Sequence, residues 1–168
     1  IASGQPTLPS LFAEDEAQKN KFPVTWLEID PHSPHLAIEP IISDRHTLVG
    51  TAPLVTTARN QEAIAAINGG FFNRKNRMPL GALRSNNIWL SSPILNRAAI
   101  GWNKNGDFKL DRLTLIETLS TSSGANLPVL YLNSGYIQPG ISRYTKAWGN
   151  SYTPLTDGET IIVVQNAR

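Results

Sequence analysis

At 168 residues the chain is long enough to bury a real core as one domain, and its 40% hydrophobic and 17% charged residues are ordinary for a globular protein. The net charge of +2 is small and dispersed, without a Lys/Arg run or a basic aromatic-rich stretch, which argues against a nucleic-acid partner. There is no cysteine, which excludes disulfides, thiolate metal sites and a cysteine nucleophile, and no apolar run approaches the roughly 20 residues that span a bilayer.

Residues 1–21 read as a lead-in of Gly, Pro, Ser and Gln followed by Glu14, Asp15 and Glu16, and are expected to fray. Residues 22–168 read as a single domain. In Val24–Asp30, β-branched and aromatic residues alternate, which predicts a strand; Pro31, Ser33 and Pro34 make a turn and Leu36–Ile42 a returning strand. Pro53 opens the clearest helix, about 53–62, because a proline in the first turn costs no helical hydrogen bond. The run Ile64–Asn68 predicts a buried strand delivered by that helix.

The rest is hairpin-rich. Residues 81–84 and 88–90 flank Ser85-Asn86-Asn87, and 98–103 and 107–116 flank Asn105-Gly106, a pair suited to a type I′ turn. Leu127–Leu132 is apolar and β-prone, and Thr160–Gln165 reads as a central strand by its continuous apolarity. One helix among about nine strands gives an α+β fold with a mixed or antiparallel sheet, the helix packed on it. Because Asn166-Ala167-Arg168 follows so closely behind an expected central strand, the domain is expected to continue, or to have been nicked after Arg168.

The most informative segment is Ala65-Ala66-Ile67-Asn68-Gly69-Gly70-Phe71-Phe72. Paired glycines permit positive φ and close approach, and an Asn beside exposed amides suits an oxygen-rich ligand. Its plain alternative is a tight turn between strands. His32 and His35 in a Pro-rich turn, and His46 alone, read as solvated side chains and not as metal ligands. Arg97 before an apolar strand, and Arg143 among Tyr144, Thr145 and Trp148, are the best-placed guanidinium groups for a phosphate; surface solubility is their alternative. Asp157 and Glu159 are candidate carboxylates that equally suit a turn and a strand flank. Four tryptophans in a small domain also suit a non-catalytic carbohydrate-binding module, with aromatics lined along one face. A structural component of polysaccharide export is a further alternative, which would show an apolar patch and no polar cleft.

The AINGGFF segment is followed by Met78-Pro79-Leu80-Gly81, by Asn96-Arg97-Ala98-Ala99-Ile100-Gly101-Trp102, and by Arg143-Tyr144-Thr145, Trp148-Gly149, Thr153-Pro154 and Gly158-Glu159. In that order and spacing the chain, from about Val24 onward, resembles the phosphodiester glycosidase family. The likeness is to the uncovering-enzyme domain, in its bacterial exopolysaccharide-related branch. The resemblance implies hydrolysis of a sugar-1-phosphodiester, on a carbohydrate or sugar-phosphate substrate, outside the cytoplasm; no cofactor is expected and no metal ligand is assigned. It implies a site at Asn68 with the amides of Gly69 and Gly70 and matches Glu159 to the family's Gly-Glu. Asn68 and Glu159 are the expected catalytic residues, and Gly69, Gly70, Arg97, Arg143 and Trp148, whose ring could stack on a sugar, the expected substrate contacts. The family domain has a second half, with an Asp-Gly-Gly-Gly-Ser type segment and a Gly-Pro motif, that has no counterpart here. The expected partner is therefore a carboxyl-terminal segment of the same domain, carrying further carboxylates, without which this fragment is inactive.

Overall fold

The computed structural model describes residues 26–44 and 46–165. The expected lead-in, 1–21, lies outside them, as do the first residues of the strand expected at Val24–Asp30. Within them the chain forms one helix and nine short strands in four small sheets, the α+β, strand-rich architecture that the sequence implies.

The segment before the helix is the first departure. Among the described residues, 26–30 and 36–42 run without a ladder, so neither expected strand is seen there. The turn between them does form: Ser33 donates its amide to the Asp30 carbonyl at 3.2 Å, and the Asp30 carboxylate accepts the His32 amide at 3.0 Å. Single side-chain bonds hold this segment instead of strand pairing. Trp102 Nε1 donates to the Ile38 carbonyl at 2.6 Å, and His32 Nδ1 lies 2.7 Å from the Asn105 carbonyl. A carbonyl only accepts, so Nδ1 carries the proton.

Helix α1 spans Leu54–Asn60. Pro53 stands at its N-cap with an extended ψ of 136°, supplying a helix-ready φ and no orphan N–H. The helix ends at Gln61 because Glu62 turns to φ 56°, a left-handed conformation that an L-residue cannot propagate. Thr57 is its buried residue, and its last turn faces the 42–46 loop across a shallow concavity. The helix thus lies against a loop, where the sequence suggested a sheet.

Strands β1 (Phe71–Phe72) and β2 (Pro79–Leu80) pair antiparallel, as do β3 (Leu83–Ser85) and β4 (Ile88–Ser91), and β5 (Ala98–Trp102) and β6 (Phe108–Arg112). The β3–β4 turn follows its local chemistry: Asn86 and Asn87 take φ 49° and 62°, both positive as a type I′ turn requires. The β5–β6 connection does not. Only Gly106 is positive there, and the Asn103 carboxamide closes a longer loop by accepting the amides of Asn105 and Asp107 at 2.9 and 3.0 Å.

The fourth sheet orders β7 (Glu117–Ser120), β8 (Asn126–Leu132) and β9 (Ile141–Arg143), with β7–β8 antiparallel and β8–β9 parallel. It carries the core. Val129 and Leu132 of β8 are buried with Ile94, Leu48 and Trp148. Ser92 ties this sheet to the end of β4, donating its amide to the Leu132 carbonyl while its hydroxyl accepts the Leu132 amide, both at 3.0 Å.

Two further expected strands are missing. Residues 64–70 and 160–165 run without ladder partners among the described residues, and their isoleucines and valines face water. Ile64 is 89% exposed and Ile162 76%. Among the described residues, neither Thr160–Gln165 nor Ile64–Asn68 finds the sheet neighbours expected of it. The physical reason is shared: an apolar run becomes a strand only when another backbone answers its N–H and C=O groups.

Candidate functional site

The residues singled out in the sequence fall into two groups. The first is built on the approach to β1. Asn68, Gly69 and Gly70 are exposed, with Asn68 on unpaired backbone and not at the end of a central strand. The glycines do not take positive φ, and a Cβ on either would meet nothing within 4 Å. The conformational need for glycine expected here is therefore absent from this structure. What the segment does offer is access: the Asn68 carboxamide has no hydrogen-bond partner among the described residues, and Asn68, Gly69 and Gly70 are all exposed.

Arg97 joins this group across the fold. Its amide donates to the Ile94 carbonyl at 3.1 Å in the turn before β5, and its guanidinium carbon stands 5.2 Å from the centroid of the Phe71 ring. That is cation–π range, so the aromatic behind Gly70 positions the cation. Among the described residues Arg97 makes no ion pair. A cation without an ion-pair partner can receive an anion.

The second group lies past β9. Arg143 ends that strand and grips Glu117 of β7 with its guanidinium fork: Nε pairs with one carboxylate oxygen, and Nη2 donates to the other at 3.2 Å. The fork expected to hold phosphate is occupied by a carboxylate. Trp148 is 3% exposed, with its ring 4.6 Å from that of Tyr144, which lies 4.5 Å from Tyr152. It is a core residue, so the substrate contact expected of it does not fit its burial.

Glu159 closes the 152–159 loop. One carboxylate oxygen accepts the amides of Leu155 and Thr156 at 2.8 and 2.7 Å and the Thr156 hydroxyl at 3.0 Å; the other accepts the Tyr152 hydroxyl at 2.6 Å. The Tyr152 hydrogen bond, reinforced by Thr156 and Leu155, holds the Glu159 carboxyl below the ordinary range. Burial, and then the same contact with Glu159, push Tyr152 above the ordinary tyrosine range. A carboxylate with four donors is a weak base and a good loop clamp. Since its folded pKa is depressed, its contribution is full above the unfolded glutamate value of about 4.3. It is lost as pH falls through the lower folded value. We expect the 152–159 amides to broaden or shift over that acid window in NMR spectra, and Glu159→Gln to abolish the transition; an unchanged acid transition in that variant would refute the assignment.

Both groups are tied to a turn that the sequence reading passed over, Asn133-Ser134-Gly135 at the end of β8. Asn133 is fully buried at φ 43°. Its Nδ2 donates to the Leu90 carbonyl and the Thr145 hydroxyl, both at 2.8 Å, and its Oδ1 accepts the Thr145 amide at 2.8 Å. From the first group, the Asn73 and Asn76 carboxamides donate to the Gly135 carbonyl at 3.1 and 3.3 Å, and the Gly135 amide donates to Pro79 of β2 at 3.1 Å. From the second, the Tyr144 hydroxyl reaches the Ser134 carbonyl at 3.4 Å. An apolar strand running into Asn-Ser-Gly repeats the pattern that drew attention to Asn68, so the signal was present.

No hydrogen bond or ion pair among the described residues joins Asn68 or Arg97 to Arg143 or Glu159. Two concavities, one beside α1 and one among 93–96, 113–115, Leu130 and Tyr131, contain none of these candidates. Among the described residues no three His, Asp or Glu side chains gather as a metal site would need. No helix among them is long and apolar enough to cross a membrane.

No protein-family model and no curated protein matches the chain. Its fold is similar to the crystal structure of a hypothetical protein from Synechocystis, with 54% sequence identity and a TM-score of 0.73 over 77% of this chain. The match covers 24% of that protein, so the chain spans about a quarter of its length.

Proposed function

We propose that the chain contributes the phosphate-recognition part of a phosphodiester glycosidase, an enzyme hydrolysing a sugar-1-phosphodiester in a glycan or exopolysaccharide. The observation that carries this reading is Arg97 poised over Phe71, the residue that directly follows the exposed Asn68-Gly69-Gly70 segment. A phosphodiester needs a guanidinium and neutral N–H donors around its unesterified oxygens, and both are present without competing partners. In the reaction, water attacks the anomeric carbon, the bond between that carbon and the bridging phosphate oxygen breaks, and the phosphate leaves as a monoester, keeping that oxygen, while a carboxylate takes the water proton. Glu159 is poorly suited to that proton, since its four donors lower its basicity. We assign the general base to polypeptide outside the described residues, and to Glu159 the shaping of its loop.

The test is ligand binding by the 168-residue chain. Titration with an N-acetylglucosamine-1-phosphodiester should shift the amide signals of residues 68–72, and Asn68→Ala should weaken binding about tenfold, the loss of one or two hydrogen bonds to a charged group. Binding equal in both proteins would remove Asn68 from the site. Shifts produced equally by the phosphate-free sugar would point to a sugar-binding module instead.

A further inference from the structure

We propose that residues 64–68 and 160–165 are sheet strands whose neighbours come from a further polypeptide, of the kind that makes up the rest of the Synechocystis chain. Ile161, Ile162, Val163 and Val164 follow one another without a polar residue, and all four are exposed, as are Ile64 and Ile67. Successive residues of a strand point to opposite faces, so an unbroken apolar run is apolar on both. Such strands belong inside a sheet that is covered above and below. Left as they stand, these segments offer water both bare apolar surface and unanswered backbone groups.

The chemistry of the occupant follows. It must supply β-strands to answer the backbone and apolar side chains to cover two faces. A second copy of this chain fits poorly, because edge-to-edge pairing about a two-fold axis supplies one neighbour and leaves both faces bare. The seven-residue α1 is the one helix among the described residues, and it lies against the 42–46 loop. A further polypeptide is the source that the comparison favours: a protein 54% identical over the shared part holds this fold within a chain about four times as long as the matched portion. The inference is independent of the reaction assigned above.

Hydrogen exchange tests it on the 168-residue chain, alone and co-expressed with the remainder of the Synechocystis protein as a separate polypeptide. We expect a one-to-one complex in which the amides of 64–68 and 161–164 exchange at least about a hundredfold more slowly than in the chain alone. Val163→Pro removes a strand donor at an exposed position, so it should abolish that protection while leaving the Trp148 near-ultraviolet signal intact. Three results would overturn the proposal. One is no complex; another is a complex in which these amides stay as fast as in the free chain. The third is protection in the chain alone that rises with its own concentration, which would assign the surface to a second copy.

Discussion

Replacing Asn133 by alanine is expected to cost the fold about 3–5 kcal/mol, the sum of two terms. Its buried carboxamide serves three part-buried partner atoms on Leu90 and Thr145, and each left unanswered costs about 1–3 kcal/mol, with some relief from relaxation and water. The second term is conformational: at φ 43°, alanine in the left-handed region costs roughly a further 1 kcal/mol, whereas asparagine tolerates it. For a chain of this size the melting temperature should fall by about 10 °C. The network also fixes which way the carboxamide points. The Leu90 carbonyl can only accept and the Thr145 amide can only donate, so nitrogen faces the first and oxygen the second. Asn133→Asp keeps the acceptor for Thr145 but turns an oxygen toward the Leu90 carbonyl, and should destabilise at neutral pH. Asn133→Gly loses the same hydrogen bonds without the backbone penalty, so it should lie about 1 kcal/mol above Ala in urea denaturation. An Asn133→Ala protein within 1 kcal/mol of the unchanged chain would show that the turn does not tie the two groups together.

That turn also marks how far the sequence could be read. Local chemistry was legible where it decides the outcome. Asn86-Asn87 dictates its hairpin, Pro53 starts its helix, and the apolar run at 127–132 becomes the central strand of the core sheet. The outcome was not legible where a partner distant in sequence decides it. Ile64–Asn68 and Thr160–Gln165 are as strand-like as Leu127–Leu132, but only the last finds neighbours among the described residues. Strand propensity measures fit to a neighbour, and an isolated run does not contain its neighbour. The same holds for Arg143. Its surroundings in sequence are aromatic and suggest a free, stacked guanidinium, whereas its partner is Glu117, 26 residues upstream and two strands across the sheet. The block Arg143-Tyr144-Thr145 through Trp148 reads as a candidate ligand site, and in the fold it packs the far side of Asn133. A buried asparagine answered by a half-buried threonine looks in sequence like surface polarity, because burial is a property of the fold.

Arg97 is where the functional reading meets its severest test. If its guanidinium receives the diester, Arg97→Ala should lower kcat/KM of the intact gene product on an N-acetylglucosamine-1-phosphodiester by about 10²-fold, the scale of losing one charged donor at a developing anion. Arg97→Lys keeps the charge but not the planar fork, so it should recover part of the loss and no more. Phe71 supplies the ring that positions the cation. Phe71→Leu keeps the apolar bulk and removes the π face, which is worth about 0.5–1 kcal/mol at an exposed site, so a three- to fivefold loss carried mainly by KM is expected. The Arg97 contribution should also shrink as salt rises from 0.01 to 0.15 M, because an exposed cation is screened over a shorter length. A structural role predicts another pattern: Arg97→Ala would then shift the unfolding midpoint slightly, as the lost ring contact allows, and leave kcat/KM and its salt dependence unchanged. Seeing that pattern would remove Arg97 from the site, and with it the observation on which the proposed reaction rests.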